Sequence, residues 1–193
     1  VLTDCSLVPV SVSIPEEDNG DDACSPTAKI IASQACGRLL ICRMQNVDNH
    51  KSTPLWMKNR LLHSGITSHS FLVDVSNYVM LELGQPIHIY DAKQIKNTLH
   101  ARYAKDKEII TCLNDKTIAL EKDTLVIADD NGPISIAGII GSQSTAVNKD
   151  SSDIVIESAY FAPNALIGKA KRYGLNTEAS YRFERGVDYT QQK

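Results

Sequence analysis

The chain has 193 residues, of which 42% are hydrophobic and 22% charged, with a formal net charge of -3. A domain of this size buries roughly 70% of its unfolded surface and needs neither disulfides nor metal to fold. The charge balance excludes a strongly basic chain that holds nucleic acid by bulk charge, and equally a highly charged disordered polymer.

No apolar run approaches the roughly 18 residues of a membrane span. The opening stretch VLTDCSLVPVSV has no basic start followed by an apolar block, so no signal peptide is read. Cys5, Cys24, Cys36, Cys42 and Cys112 are irregularly spaced and form no CxxC pair. They read as free thiols of a reducing, cytoplasmic setting rather than as a disulfide framework or a zinc site.

Residues 7–14 alternate Val8, Val10, Val12 and Ile14 on one face, as a half-buried edge strand containing Pro9 would. The acidic run 16–26 lacks the spacing of a calcium loop and reads as a solvated loop. Residues 35–47 read as a second strand. Ser52-Thr53-Pro54 opens a helix over about 54–64, with Leu55, Trp56, Leu61 and Leu62 on its apolar face and Gly65 as its stop. A second helix covers about 74–83, capped by Asp74 or Ser76 and ended by Gly84. From residue 98 short strands follow one another: HARYA, EIITCL, TIALE, LVIAD, ISIAGII and, at 153–159, DIVIESA. Pro163 starts a third helix that runs to about Tyr173, with Gly174 as its stop. The pattern predicts an α+β fold: a central mixed or antiparallel β body over about 98–159, with about three flanking helices.

Four stretches could carry chemistry. In GQPIHIYD, His88 and Asp91 have H-x-x-D spacing, which fits an acid–base or metal pair or a histidine hydrogen-bonded beside a turn. In AGIIGSQ, Gly138 and Gly141 follow an apolar strand, where they either admit a ligand close to the backbone or make a tight turn. Glu157 interrupts the apolar strand IVIESA on the face of Val155 and Ala159. Either that face meets solvent or the carboxylate serves a pocket, because burying it alone is costly. Between residues 169 and 185, Lys169, Lys171, Arg172, Arg182 and Arg185 are interleaved with Tyr173, Tyr181 and Phe183. That pattern suits a phosphate backbone with stacking bases, or an internal network of Arg–Glu pairs.

From Pro54 to Asp188 the motifs PLWMKNRL, VDVSNYVMLELGQPIHIYD, DTLVIAD, AGIIG, ESAYFAP and TEASYRFERGVD resemble, in order, the bacterial phenylalanyl-tRNA synthetase β subunit family. The resemblance implies a single editing and tRNA-binding domain, residues 1–193, excised from a longer subunit. Residues 1–50 would supply N-terminal strands and the acidic loop, and 51–193 the core with its pocket. It implies hydrolysis of tyrosine wrongly esterified to tRNA(Phe), a second sieve that hydrogen-bonds the hydroxyl which a phenylalanine pocket rejects poorly. The implied partners are tRNA(Phe) and an α subunit in an α2β2 enzyme. ATP and magnesium would belong to the whole synthetase, with no cofactor or catalytic metal in this domain.

By the same resemblance Glu157 would recognise the tyrosine hydroxyl, and Thr177 and Ala179 would form the pocket wall, Ala179 small enough to admit the side chain. His88, Gly138 and Gly141 would stand beside the reacting ester. Three positions depart from the family: Ser142 and Ala146 where glycine is usual, and Asn114-Asp115 in place of an Asp-Gly turn. Ser142 would put a side chain near the site. No G-x-S-x-G elbow occurs, so water is the expected nucleophile. The alternative is a module that binds tRNA or a protein and does not hydrolyse.

Overall fold

The computed structural model describes residues 27–193; the expected edge strand at 7–14 and the acidic run 16–26 lie outside them. Ten strands and five helices are present among the described residues. The strands are β1 (Ala28–Ile30), β2 (Cys36–Met44), β3 (Ile87–Asp91), β4 (Leu99–Tyr103), β5 (Ile109–Thr111), β6 (Thr117–Ala119), β7 (Leu125–Ala128), β8 (Pro133–Ile136), β9 (Ile140–Gly141) and β10 (Ile154–Phe161). The helices are α1 (Leu55–His63), α2 (Phe71–Leu83), α3 (Pro163–Leu166), α4 (Lys169–Arg172) and α5 (Glu178–Phe183). The α+β class expected from the pattern is the class observed.

The strands do not make one body. Five form a sheet in the order β1-β4-β7-β8-β9, three form a second sheet β2-β10-β3, and β5-β6 is a separate ribbon. Among the described pairings only β1–β4 is parallel. The last strand of the expected β body, β10, leaves its sequence neighbours and pairs antiparallel with β2 and β3. Alternation marks a strand's buried face but does not name its partner, and here the partners come from far upstream. Arg43 and Asp153, 110 residues apart, clamp this pairing with guanidinium–carboxylate contacts of 2.9 and 2.6 Å.

The two sheets pack face to face around one core. Leu39, Tyr90, Leu125, Ile127, Val155, Ala159 and Phe161 belong to it. On the other face of the five-stranded sheet, Val126, Ala128 and Ile136 pack under the ribbon and α4 through Ile110, Ile118, Ala170 and Tyr173. This double cover explains why Leu-Val-Ile-Ala of β7 is apolar at every position: a strand buried on both faces shows no alternation. The outer face of the three-stranded sheet carries Ile89 and Ile154 against Leu72 of α2.

The helices depart from their sequence-based bounds in instructive ways. Pro54 is the residue before α1, and among the described residues no hydroxyl caps that helix. Thr53 Oγ1 instead donates to the buried Asp74 at 2.5 Å, as does Ser68 Oγ at 2.5 Å, while the His69 N–H donates to it at 2.8 Å. Asp74 is therefore a buttress inside α2, which starts at Phe71 rather than at 74, and Ser76 bonds the Val73 carbonyl instead of capping. The expected apolar face of α1 is largely wrong: Leu55, Trp56 and Leu62 are 72%, 52% and 67% exposed, and Met57 and Leu61 are its buried residues. The third helix is broken in two at Gly168, whose φ of 76° is left-handed and cannot continue a helix. ISIAGII likewise divides into β8 and β9 around a turn at 137–139.

Candidate functional site

Strand alternation places the central residues. In β10, Val155, Glu157, Ala159 and Phe161 face the five-stranded sheet, while Ile154 and Ile156 turn toward α2. Glu157 is therefore carried into the interior and is 6% exposed. Its register partner on β3 is His88. Residues directly opposite in an antiparallel pair share a face, so the carboxyl and the imidazole point into the same space. The alternative of a solvent-facing Glu157 is thereby settled by burial.

That space is a cavity of about 60 Å³ whose lining includes His88, Ser135, Gly138, Gly141, Glu157 and Ala179. It adjoins a wider groove of about 270 Å³ bounded by Ser76 and Asn77 of α2, Leu113, Thr177 and Glu178. Pro86, His88, Gly141 and Ala179 line both. Five of the six residues singled out from the sequence thus meet at the inner cavity, and Thr177 stands on the groove.

The glycines and Thr177 shape the walls. A Cβ on Gly141 would lie 2.6 Å from His88 Nε2, so the imidazole rests directly on that α-carbon. Gly138 has φ of 67°, and a Cβ there would meet Leu166, Phe183 and Phe161 at 2.9–3.2 Å. Its smallness closes the turn onto the core. Thr177 holds the same turn from the other side: its hydroxyl donates to the Ile139 carbonyl at 2.8 Å and accepts the Ser180 N–H at 3.0 Å. The second bond also caps α5, in a capping box completed by Ser180 Oγ accepting the Thr177 N–H.

The electrostatics of the cavity follow from burial. Desolvation pushes the Glu157 carboxyl up to about 7, against the opposing pull of a hydrogen bond that Tyr90 Oη donates to Oε2. Oε1 receives no hydrogen bond from the described residues. Burial also holds His88 down at about 4, so its imidazole is neutral at ordinary pH. Its ring stands edge-on to Tyr90 with centroids 4.4 Å apart, and no described residue hydrogen-bonds either ring nitrogen. Cys36 is pushed up to about 12 by burial and by the charge of Glu157, which makes it an inert neighbour. Tyr90 and Ser135, whose oxygens are 3.3 Å apart, were not flagged by the sequence.

Other candidates separate from this site. Asp91 does not join His88: it accepts Ser151 Oγ at 2.7 Å and the Lys93 N–H at 3.0 Å, three positions along β3 and on the opposite face. Among the described residues no three His, Cys, Asp or Glu side chains come close enough to hold a metal ion. Ser142 Oγ lies 2.5 Å from Ser144 Oγ and accepts the Ser144 N–H, so it builds a local turn and is not part of the cavity lining. Asp115 takes a φ of 64° in the turn where the resemblance implied glycine, and its carboxylate accepts the Gln143 amide. Most of the basic stretch is internally paired: Lys169 and Arg172 with Asp123, Arg172 also with Glu121, and Arg182 with Glu178. Arg185 lies over the Tyr181 ring at 3.5 Å. No helix among the described residues is long and apolar enough to cross a membrane.

A family model described as the B3/4 domain matches residues 35–193. Among similar proteins, the phenylalanine–tRNA ligase β subunit of Neisseria meningitidis serogroup A is 48% identical over 161 residues, 83% of this chain and 20% of that subunit. The same subunit of Dechloromonas aromatica is 50% identical over 154 residues, 80% of this chain and 19% of the relative. The chain spans about a fifth of the length of these relatives. A crystal structure of an N-terminal fragment of the phenylalanyl-tRNA synthetase β subunit from Pyrococcus horikoshii superposes with a TM-score of 0.52 at 14% identity, over 69% of this chain and 42% of that one. That likeness is one of fold.

Proposed function

This chain belongs to the B3/4 domain family, and on that premise we propose that it is the editing domain of a phenylalanine–tRNA ligase β subunit, hydrolysing tyrosine mischarged on tRNA(Phe). Aminoacylation, with its ATP and magnesium, then belongs to the rest of an α2β2 enzyme, and tRNA(Phe) is the shared macromolecular partner.

One observation carries this reading: Glu157 is a buried carboxyl at the wall of a small cavity, with Oε1 unengaged by the described residues and on the same face as His88. A tyrosine side chain entering past Ala179 would offer its phenolic hydroxyl to Oε1. Phenylalanine would occupy the same space and leave a buried polar group unpaired, which is the strongest form of discrimination a pocket has against a missing hydroxyl. The groove bounded by Thr177, Glu178 and α2 offers room for the terminal ribose outside the inner cavity.

In this reading water attacks the ester carbonyl, the acyl–oxygen bond breaks, and the products are free tyrosine and a 3′-terminal ribose hydroxyl. His88 lines both the cavity and the groove, where the ester between side chain and ribose would sit. A base held near 4 takes up little proton at neutral pH, so His88 serves to orient water or the ester rather than to store a full charge. The turn 137–141 would run beside the carbonyl, and positioning of this kind supplies much of the rate in such reactions.

The test is deacylation of tyrosyl-tRNA(Phe) and phenylalanyl-tRNA(Phe) by the full ligase carrying Glu157→Ala. Loss of a hydrogen bond to a charged group, about 1.5–3 kcal/mol, should erase roughly ten- to a hundred-fold of the tyrosine preference. Unaltered preference in a folded variant removes Glu157 from recognition and the reading with it.

A further inference from the structure

Tyr90 is fully buried between the two sheets, yet its hydroxyl is aimed at the candidate site rather than at solvent. It donates to Glu157 Oε2, lies 3.3 Å from Ser135 Oγ, and presents its ring to the edge of His88. One side chain thus touches both titratable groups of the cavity lining, Glu157 and His88. We propose that Tyr90 is a positioning residue for tyrosine specificity: by donating to Oε2 it fixes the Glu157 carboxyl and leaves Oε1 as the single acceptor for a substrate hydroxyl. This inference rests on the editing reading.

The chemistry behind it is an imbalance of donors. A carboxyl has two oxygens and about four acceptor sites, and a buried one without donors turns about its terminal torsion and takes up a proton. A protonated acid is a donor itself and competes with the substrate hydroxyl for the same oxygen. Tyr90 supplies the one donor that the described residues give Glu157, and so opposes the protonation that burial favours. A phenol suits the task because its own ionisation is held well above the ordinary value by burial and by the neighbouring carboxylate, so it stays a donor throughout.

The groups around Glu157 make this measurable. His88 and Tyr90 face it from β3, Ser135 from β8, and Cys36 on β2 feels its charge. His88 titrates at about 4, Cys36 at about 12, and Tyr90 well above 10. Between those limits Glu157, at about 7, is the one member of the cluster that titrates.

The experiment has two readouts on Tyr90→Phe. In the 193-residue chain labelled with carboxyl-¹³C glutamate, the Glu157 titration is followed by NMR. In the full ligase, deacylation of tyrosyl- and phenylalanyl-tRNA(Phe) is followed across pH. The Glu157 midpoint should rise by about one pH unit or more, the equivalent of one lost charge-assisted hydrogen bond. Tyrosine preference at pH 7 should fall about tenfold through KM for the tyrosyl substrate, and return above the new midpoint. Placing 3-fluorotyrosine at position 90, a stronger donor of the same shape, should move the midpoint down, and it keeps the proposal testable if Tyr90→Phe does not fold. An active wild-type ligase with an unshifted midpoint, or a shifted midpoint with unchanged preference, overturns the role of Tyr90 alone. A wild-type ligase that spares tyrosyl-tRNA(Phe) overturns the editing reading and the specificity role together.

Discussion

Glu157→Gln should make the chain more stable, and only at the upper end of the pH range. The amide keeps the shape of the carboxyl and still accepts the Tyr90 hydroxyl, but it never carries a charge. In the native protein Glu157 titrates at about 7 instead of 4.5, so the folded state binds more protons than the unfolded one between those values. Its contribution is fully present below 4.5 and is lost as pH rises through 7. A displacement of this size corresponds to about 3 kcal/mol. His88 acts with the opposite sign: its native value of about 4 lies below the ordinary 6.5, so stability is gained as pH rises between those values. In the wild type the two slopes largely cancel over the range they share. In Glu157→Gln only the His88 slope survives, and stability should climb steadily from about 4 to 6.5. Urea denaturation of both chains by far-UV circular dichroism at pH 4, 5, 6, 7 and 8 measures this. The curves should coincide near pH 4 and diverge to about 3 kcal/mol in favour of glutamine by pH 8. A gap that is constant across pH, or a wild type that is the more stable at pH 8, refutes the assignment of a buried, destabilising charge.

Two further substitutions probe the walls of the site. Gly141→Ala sets a methyl 2.6 Å from His88 Nε2. The imidazole must leave its place, so deacylation should fall at least tenfold while stability drops by only about 1–3 kcal/mol; near-normal deacylation in the ligase would show that the contact is not needed. Ala179→Trp fills the space shared by cavity and groove and should block tyrosyl and phenylalanyl substrates alike, whereas a selective loss of one of them would place Ala179 elsewhere than on the common entrance.

What the sequence disclosed and concealed divides along physical lines. Glu157 was legible because a carboxylate on the apolar face of a strand violates a period-2 pattern that can be read locally. Its companions were not: Tyr90 stands 67 residues away, and nothing in H-x-x-D spacing says that His88 faces the cavity while Asp91 faces Ser151. The resemblance to a family brought His88, Gly141 and Ala179 into one list, but Tyr90 and Ser135 entered only with the register of β3 and the pairing of the sheets. Gly168 and the short α5 escaped notice because four- to six-residue helices carry too few turns for a 3.6-residue period to emerge. The exposed Leu55, Trp56 and Leu62 show the converse limit: apolar residues at helical spacing need not mark a buried face.

The cavity lies on the seam between two sheets, with β3 and β10 on one side and β8 and β9 on the other. Neither sheet holds it alone, and the three-stranded one closes only when β10 finds both β2 and β3 far upstream. Pairings of such long sequence separation form late, because loop-closure entropy is spent before their contacts reward it. A chain still being synthesised, or folded only in part, therefore lacks this cavity. On the proposed editing reading this ordering would be protective: an aminoacyl ester would meet only molecules whose Glu157 carboxyl is already locked in register.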